Sequence, residues 1–165
     1  MEAEDRLTNT VYITLLIDSL KKKFKILEQL YEITKQQEGI IHAEKFSDER
    51  FMMTVSLKEE QLELLMQVDQ GFEQLYHKIR EELSSDPSRY KLEITNLQEY
   101  ITRLTDLSVK LQALENRNKA GIELLFVQKK KEIKNARLNN KSVINYYQTM
   151  EKYHREQSFF YDKKK

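Results

Sequence analysis

Apolar side chains in the first part of the chain fall at Ile13, Ile17, Leu20, Phe24, Leu27 and Tyr31, and the stripe runs on through Thr34 to Ile41. The steps alternate four and three, which places the residues on one face of a long helix that packs against neighbours side by side. Thr8 or Thr10 is a candidate cap, and the spacing predicts a first helix over about 9–44. Ser47 and Asp48 are good residues to start a second helix, whose apolar positions are Phe51, Val55, Leu62, Leu65, Val68, Phe72, Leu75, Tyr76, Ile79 and Leu83. A rival start exists at Ser56, where Ser56-Leu57-Lys58-Glu59 reads as a capping box. The lone proline, in Ser84-Ser85-Asp86-Pro87, suits the first position of a third helix after an Asp cap. That helix carries Ile94, Leu97, Ile101, Leu104, Leu107, Leu111 and Leu114. It then crosses a polar stretch at Glu115–Lys119 and resumes with Ile122, Leu124, Leu125, Phe126, Val127 and Ile133. No later proline interrupts it, so it is expected to run to about residue 138.

The pattern predicts an all-α fold: an antiparallel bundle of three long helices over 1–140, with a mobile or short-helical tail over 141–165. Short connections make neighbouring helices antiparallel. A third helix of about 50 residues then outruns a second of about 36 by ~20 Å at 1.5 Å per residue. The overhang is apolar, at Ile122, Leu124, Leu125, Phe126 and Ile133, and an unpaired apolar stripe marks a partner surface.

Composition narrows the function classes. Three glycines and one proline cannot supply the turns of a sandwich or barrel, and the absence of cysteine excludes disulfides, thiolate metal sites and cysteine nucleophiles. The MEAEDR start is acidic, and the longest apolar stretch, near Val11–Ile17, is too short to span a bilayer. A soluble, cytoplasmic chain without membrane insertion is expected. The net charge of +1 hides a division: residues 1–116 carry 15 basic and 22 acidic side chains, residues 117–165 carry 13 and 5.

No catalytic, cofactor or metal constellation emerges, and the chain does not read as an enzyme. The three glycines are isolated, so no phosphate loop exists. Glu38–His42 and Glu73–His77 are single pairs, and the only Glu-x-x-His is Glu151–His154, short of the ligand set a bundle metal site needs. Lys129, Lys130, Lys131, Lys134 and Arg137 with Tyr146 and Tyr147 could face nucleic acid, but the near-neutral total disfavours that reading. Met66 is expected in the core, while Met52, Met53 and Met150 could fill gaps or line an adaptable surface.

The layout resembles the FlgN-like flagellar export chaperones. The similarity lies in LLIDSLKKKFKILEQLYEITKQQEGIIHAEKFSDERF, in SRYKLEITNLQEYITRLTDLSVKLQALENRNKAGIELLF, and in the basic run before a tyrosine, KKKEIKNARLNNKSVINYYQ. The resemblance implies a cytoplasmic chaperone that binds the C-terminal helices of hook-associated proteins. It would prevent their premature assembly and deliver them to the cytoplasmic domain of the type III export gate. It implies gate docking through a C-terminal tyrosine, Tyr146 or Tyr147, and a client surface on the late third helix and tail. The alternative class is a structural coiled-coil protein in which two copies bury each other's stripe as a homodimer.

Overall fold

The computed structural model describes residues 2–128 and 140–164. It contains four α-helices and, among the described residues, no strand: α1 (Glu2–Ile41), α2 (Asp48–Ser85), α3 (Lys91–Gln128) and α4 (Asn140–Lys164), with a 3-10 turn at Pro87–Tyr90 between α2 and α3. No described helix is long and apolar enough to cross a membrane.

The helix ends show which local signals prevailed. α1 begins at Glu2, a full turn and more before the expected start, because the threonines do not cap it. The Thr8 hydroxyl donates back to the Glu4 carbonyl (2.9 Å), and that of Thr14 to the Thr10 carbonyl (2.9 Å), which lets the helix continue through both. The start of α2 follows the Ser47 signal. The Ser47 hydroxyl accepts from the Arg50 amide at 3.3 Å, and the helix runs unbroken through Ser56. At Pro87 the chain enters a 3-10 turn before α3. Asp86 precedes it but does not cap it with its side chain; its carboxylate accepts from the Ser88 hydroxyl at 2.9 Å.

The chain divides into two compact units. One comprises Met1–Glu28 with Glu63–Leu107, the other Gln29–Leu62 with Ser108–Lys165. In the first, Ile13, Leu16, Leu20 and Leu27 of α1 are buried, as are Leu65, Phe72 and Ile79 of α2 and Leu97 and Leu104 of α3. Ascending α1 from Tyr12 to Lys23, the partners on α2 descend from Lys78, which lies over the Tyr12 ring, to Asp69, ion-paired to Lys23 at 2.8 Å. Over the same unit the α3 side ascends, from Tyr90, whose hydroxyl accepts from Asn9 at 3.3 Å, to Arg103, stacked over Phe24 at 4.8 Å.

The second unit holds the principal departure from expectation. Instead of a mobile or short-helical tail, α4 is a helix of 25 residues. It buries Val143, Tyr146, Tyr147, Met150, Tyr153 and His154. Those positions recur at i, i+3 and i+4 from Val143 and again from Met150, so α4 presents a helical face rich in tyrosine where the other helices use leucine. The units also cut across the expected division at residue 140, since α4 belongs with the later half of α3. Met66, expected in the core, is exposed, while Met150 is buried.

Candidate functional site

Within the second unit, polar residues occupy the very positions at which the helical pattern calls for core. On α3 the buried series is Leu111, Glu115, Asn118, Ile122, in steps of four, three and four. On α1 Thr34 and Gln37 stand between Leu30 and Ile41, and on α2 Lys58 stands between Val55 and Leu62. The Glu115–Lys119 stretch is therefore no interruption of the stripe. It is the stripe, written in polar residues.

These side chains meet. The Lys58 ammonium, with no exposed surface, lies 2.6 Å from Glu115 Oε1 and donates to Gln37 Oε1 at 3.1 Å. The same Glu115 oxygen accepts from the Tyr146 hydroxyl at 2.8 Å and from the Thr34 hydroxyl at 3.3 Å. Asn118 donates to the Thr34 carbonyl (2.9 Å) and to Gln37 Oε1 (3.2 Å), and Gln37 donates to the Thr54 hydroxyl (3.0 Å). The Lys58 ammonium also sits 4.6 Å from the centre of the Tyr146 ring, close enough for a cation–π contact. One carboxylate thus collects donors from α1, α2 and α4. A buried ion pair of this kind is weak evidence for stability; what it does impose is a cost for any slip in register that leaves one charge unpaired.

Burial governs the ionisation of the cluster. It lowers the Lys58 ammonium from its ordinary value, against the attraction of Glu115. It raises the Tyr146 phenol far above the usual range, with the Glu115 charge adding to the effect, and raises Tyr147 for the same reasons. The His154 imidazole is lowered by burial, with Glu115 opposing and Lys58 reinforcing. Glu115 Oε2, the Tyr147 hydroxyl and His154 Nε2 are buried without a hydrogen-bond partner among the described residues.

Beside this cluster runs a groove of about 370 Å³ between α3 and α4, lined by Ile122, Phe126, Val143, Ile144 and Tyr147, with Lys119, Glu123, Gln148 and Glu151 as its polar members. The Lys119–Glu151 ion pair, 2.6 Å, links the two helices there. The sequence-predicted client surface lies here in part. Ile122 is wholly buried at 1% exposure, and Leu125 and Phe126 are half-buried. Leu124 is 57% and Val127 74% exposed, joined by Ile144 at 53% on α4. Ile133 and the basic residues from Lys129 to Arg137 lie outside the described residues. The stripe is not unpaired as the length argument required, since α4 supplies the missing partner helix. Tyr146 and Tyr147, expected as a docking signal, are both buried and meet edge to face, ring centres 5.3 Å apart.

Sequence reasoning missed Lys58, Glu115, Gln37, Asn118 and His154. A usable signal existed for the first four: charged and amide residues on the apolar register of three different helices. His154 follows from the same register on α4, eleven residues after Val143.

Among the described residues, no cluster of three His, Asp or Glu side chains is arranged to hold a metal ion. No family model, no curated protein and no solved structure matches this chain.

Proposed function

We propose that this chain is a FlgN-like export chaperone, a binding protein without catalytic chemistry or cofactor, acting in the cytoplasm on hook-associated proteins. The observation that carries the reading is the α3–α4 groove, lined by Ile122, Phe126, Val143, Ile144 and Tyr147, with Ile144 exposed at its edge. An amphipathic client helix would lay its apolar face there in a helix-in-groove mode, with anchors entering toward Phe126 and Ile122. The counter-running partners of α1 and α2 support an antiparallel pair within the bundle, the layout the resemblance implies.

Client and gate would use different parts of α4. Tyr146 and Tyr147 face inward, so in this reading they serve docking at the export gate by fixing the course of α4. The exposed side of that helix away from the groove, which includes Asn145, Thr149 and Lys152, would make the contact. Neither activity calls for nucleic acid or membrane insertion.

The test is titration calorimetry of the protein against a peptide comprising the C-terminal helices of a hook-associated protein. Ile144→Asp should weaken binding tenfold or more while leaving the circular dichroism spectrum unchanged, because that side chain lines the groove and is exposed. Binding indifferent to this substitution would sink the assignment. The exposed apolar residues of α3, Leu124 and Val127, suit a second reading, self-association of two copies. A concentration-dependent dimer in sedimentation, lost in Leu124→Asp, together with no client binding, would favour that instead.

A further inference from the structure

His154 is placed unlike a surface histidine. It lies on the inner face of α4, only 5% exposed, and its Nε2 has no hydrogen-bond partner among the described residues. Its ring meets Tyr153 at 5.8 Å between centres. The charges it feels come from two other helices, the Lys58 ammonium on α2 and the Glu115 carboxylate on α3. From α1 the cluster receives only neutral groups, Thr34 and Gln37; on α4 itself the ionisable neighbours of His154 are the buried Tyr153 and the exposed Glu151, Lys152 and Arg155, of which Glu151 is paired to Lys119. Glu59 on α2 acts on Tyr146 and Glu123 on α3 on Tyr147.

We propose that His154 makes the seating of α4 on α3 acid-labile, a proton-operated release built into the core of the second unit. A neutral imidazole suits the site. A protonated one would add a second buried cation near Lys58, without the water that stabilises it outside. Glu115 could offset this only through Oε2, since its other oxygen already accepts from Lys58, Tyr146 and Thr34. Separating α4 returns His154 to water, so protonation favours the separated form, by up to tenfold per pH unit for one linked proton. The lowered affinity of His154 for a proton has the sign this requires. The inference concerns the free chain and does not depend on what occupies the groove.

The methionines supply the readout. Met150 is buried on α4, whereas Met53 is 65% exposed on α2. Methyl spectra of the full chain would be recorded at about pH 7.5 and about pH 5.5, on either side of the ordinary histidine value. The expected result is a rise of up to about tenfold in acid in the separated-form population that the Met150 signal reports, with Met53 and the helical content of α1–α3 unchanged, and no such rise in His154→Gln. A Met150 signal that ignores pH, or that responds equally in His154→Gln, overturns the proposal. So does a Met150 signal that sharpens in acid, which would mean that protonated His154 pairs with Glu115 Oε2. Should His154→Gln fail to fold, the His154 ring resonances of the unaltered chain decide. The Met150 transition must follow their titration, and a midpoint tracking His42 or His77 overturns the inference.

Discussion

The Tyr146 hydroxyl donates a 2.8 Å hydrogen bond to the Glu115 oxygen that also holds the Lys58 ammonium at 2.6 Å. A residue of α4 thereby completes an ion pair formed between α2 and α3. Its neighbour Tyr147, equally buried, has no hydrogen-bond partner for its hydroxyl among the described residues.

The two adjacent tyrosines should therefore answer the same substitution differently. Tyr146→Phe removes a hydrogen bond to a charged acceptor and should cost about 1.5–3 kcal/mol. Tyr147→Phe removes a buried hydroxyl that has no bond to lose and should be neutral, or stabilising by about 1 kcal/mol. Urea denaturation of the two variants measures the contrast. Equal losses would show that the Tyr146–Glu115 bond contributes little.

Lys58→Met strands the Glu115 carboxylate in the core and should destabilise by about 3–5 kcal/mol. Adding Glu115→Leu and Tyr146→Phe removes the stranded charge and its donor together, and should recover most of that loss. A triple variant no more stable than Lys58→Met alone would mean that packing volume, rather than charge, sets the cost.

The three glycines divide by what surrounds them. A Cβ on Gly121 would come within 2.9 Å of Ile41 Cγ2, a buried side chain of α1, whereas Gly39 and Gly71 have open space. Overpacking at Gly121→Ala should cost about 1–3 kcal/mol, offset only in part by ~1 kcal/mol of helix propensity. Gly39→Ala and Gly71→Ala should raise stability by about 0.5–1 kcal/mol each. Thermal melts of the three single variants provide the check, and a stabilised Gly121→Ala would show that α1 and α3 can part without penalty.

Stability should also fall on the alkaline side. Burial raises both Tyr146 and Tyr147, so above about pH 10 the unfolded chain sheds protons that the folded chain keeps. The stability tied to those protons is complete below pH ~10 and is lost as pH rises beyond it. Lys58, lowered by burial, acts with the opposite sign below about pH 10.5, where the unfolded chain keeps a proton that the folded chain sheds, and so opposes only the start of this fall. Urea midpoints at about pH 8 and about pH 10.5 should differ in the native chain and less so in the Tyr146→Phe, Tyr147→Phe double variant. An equal difference in both would assign the alkaline loss to other groups.

Much of the helical architecture is legible in the residue pattern because each signal is local. The stripe from Ile13 to Ile41, the Ser47 cap and Pro87 after α2 act over one or two turns, and the helices follow them. Thr8 misled because a threonine hydroxyl can either cap a helix or bond back into it, and α1 runs on through Thr10 as well. The choice depends on whether the preceding residues are themselves helical, and here they are. The last helix was harder to see. Val143, Tyr146, Tyr147, Met150 and Tyr153 keep helical spacing, but a tyrosine is a less obvious core residue than leucine because its buried hydroxyl usually needs a partner. Glu115 meets that of Tyr146 from 31 positions away in the chain.

By itself, then, the sequence determined the helical class, the boundary at Pro87 and an apolar surface late in α3. Periodicity, turn chemistry and composition are properties of neighbouring residues. Only the tertiary structure decided that Lys58, Glu115, Asn118 and Gln37 form one buried cluster, and that Tyr146 and Tyr147 face inward. A charge at a core position reads as a break in the stripe until its counter-charge arrives from another helix. Desolvation penalises either charge alone, and together they fix how α4 lies on the unit. What was read as an unpaired stripe is thus covered at Ile122 and partly at Leu125 and Phe126, with Leu124 and Val127 left exposed on α3.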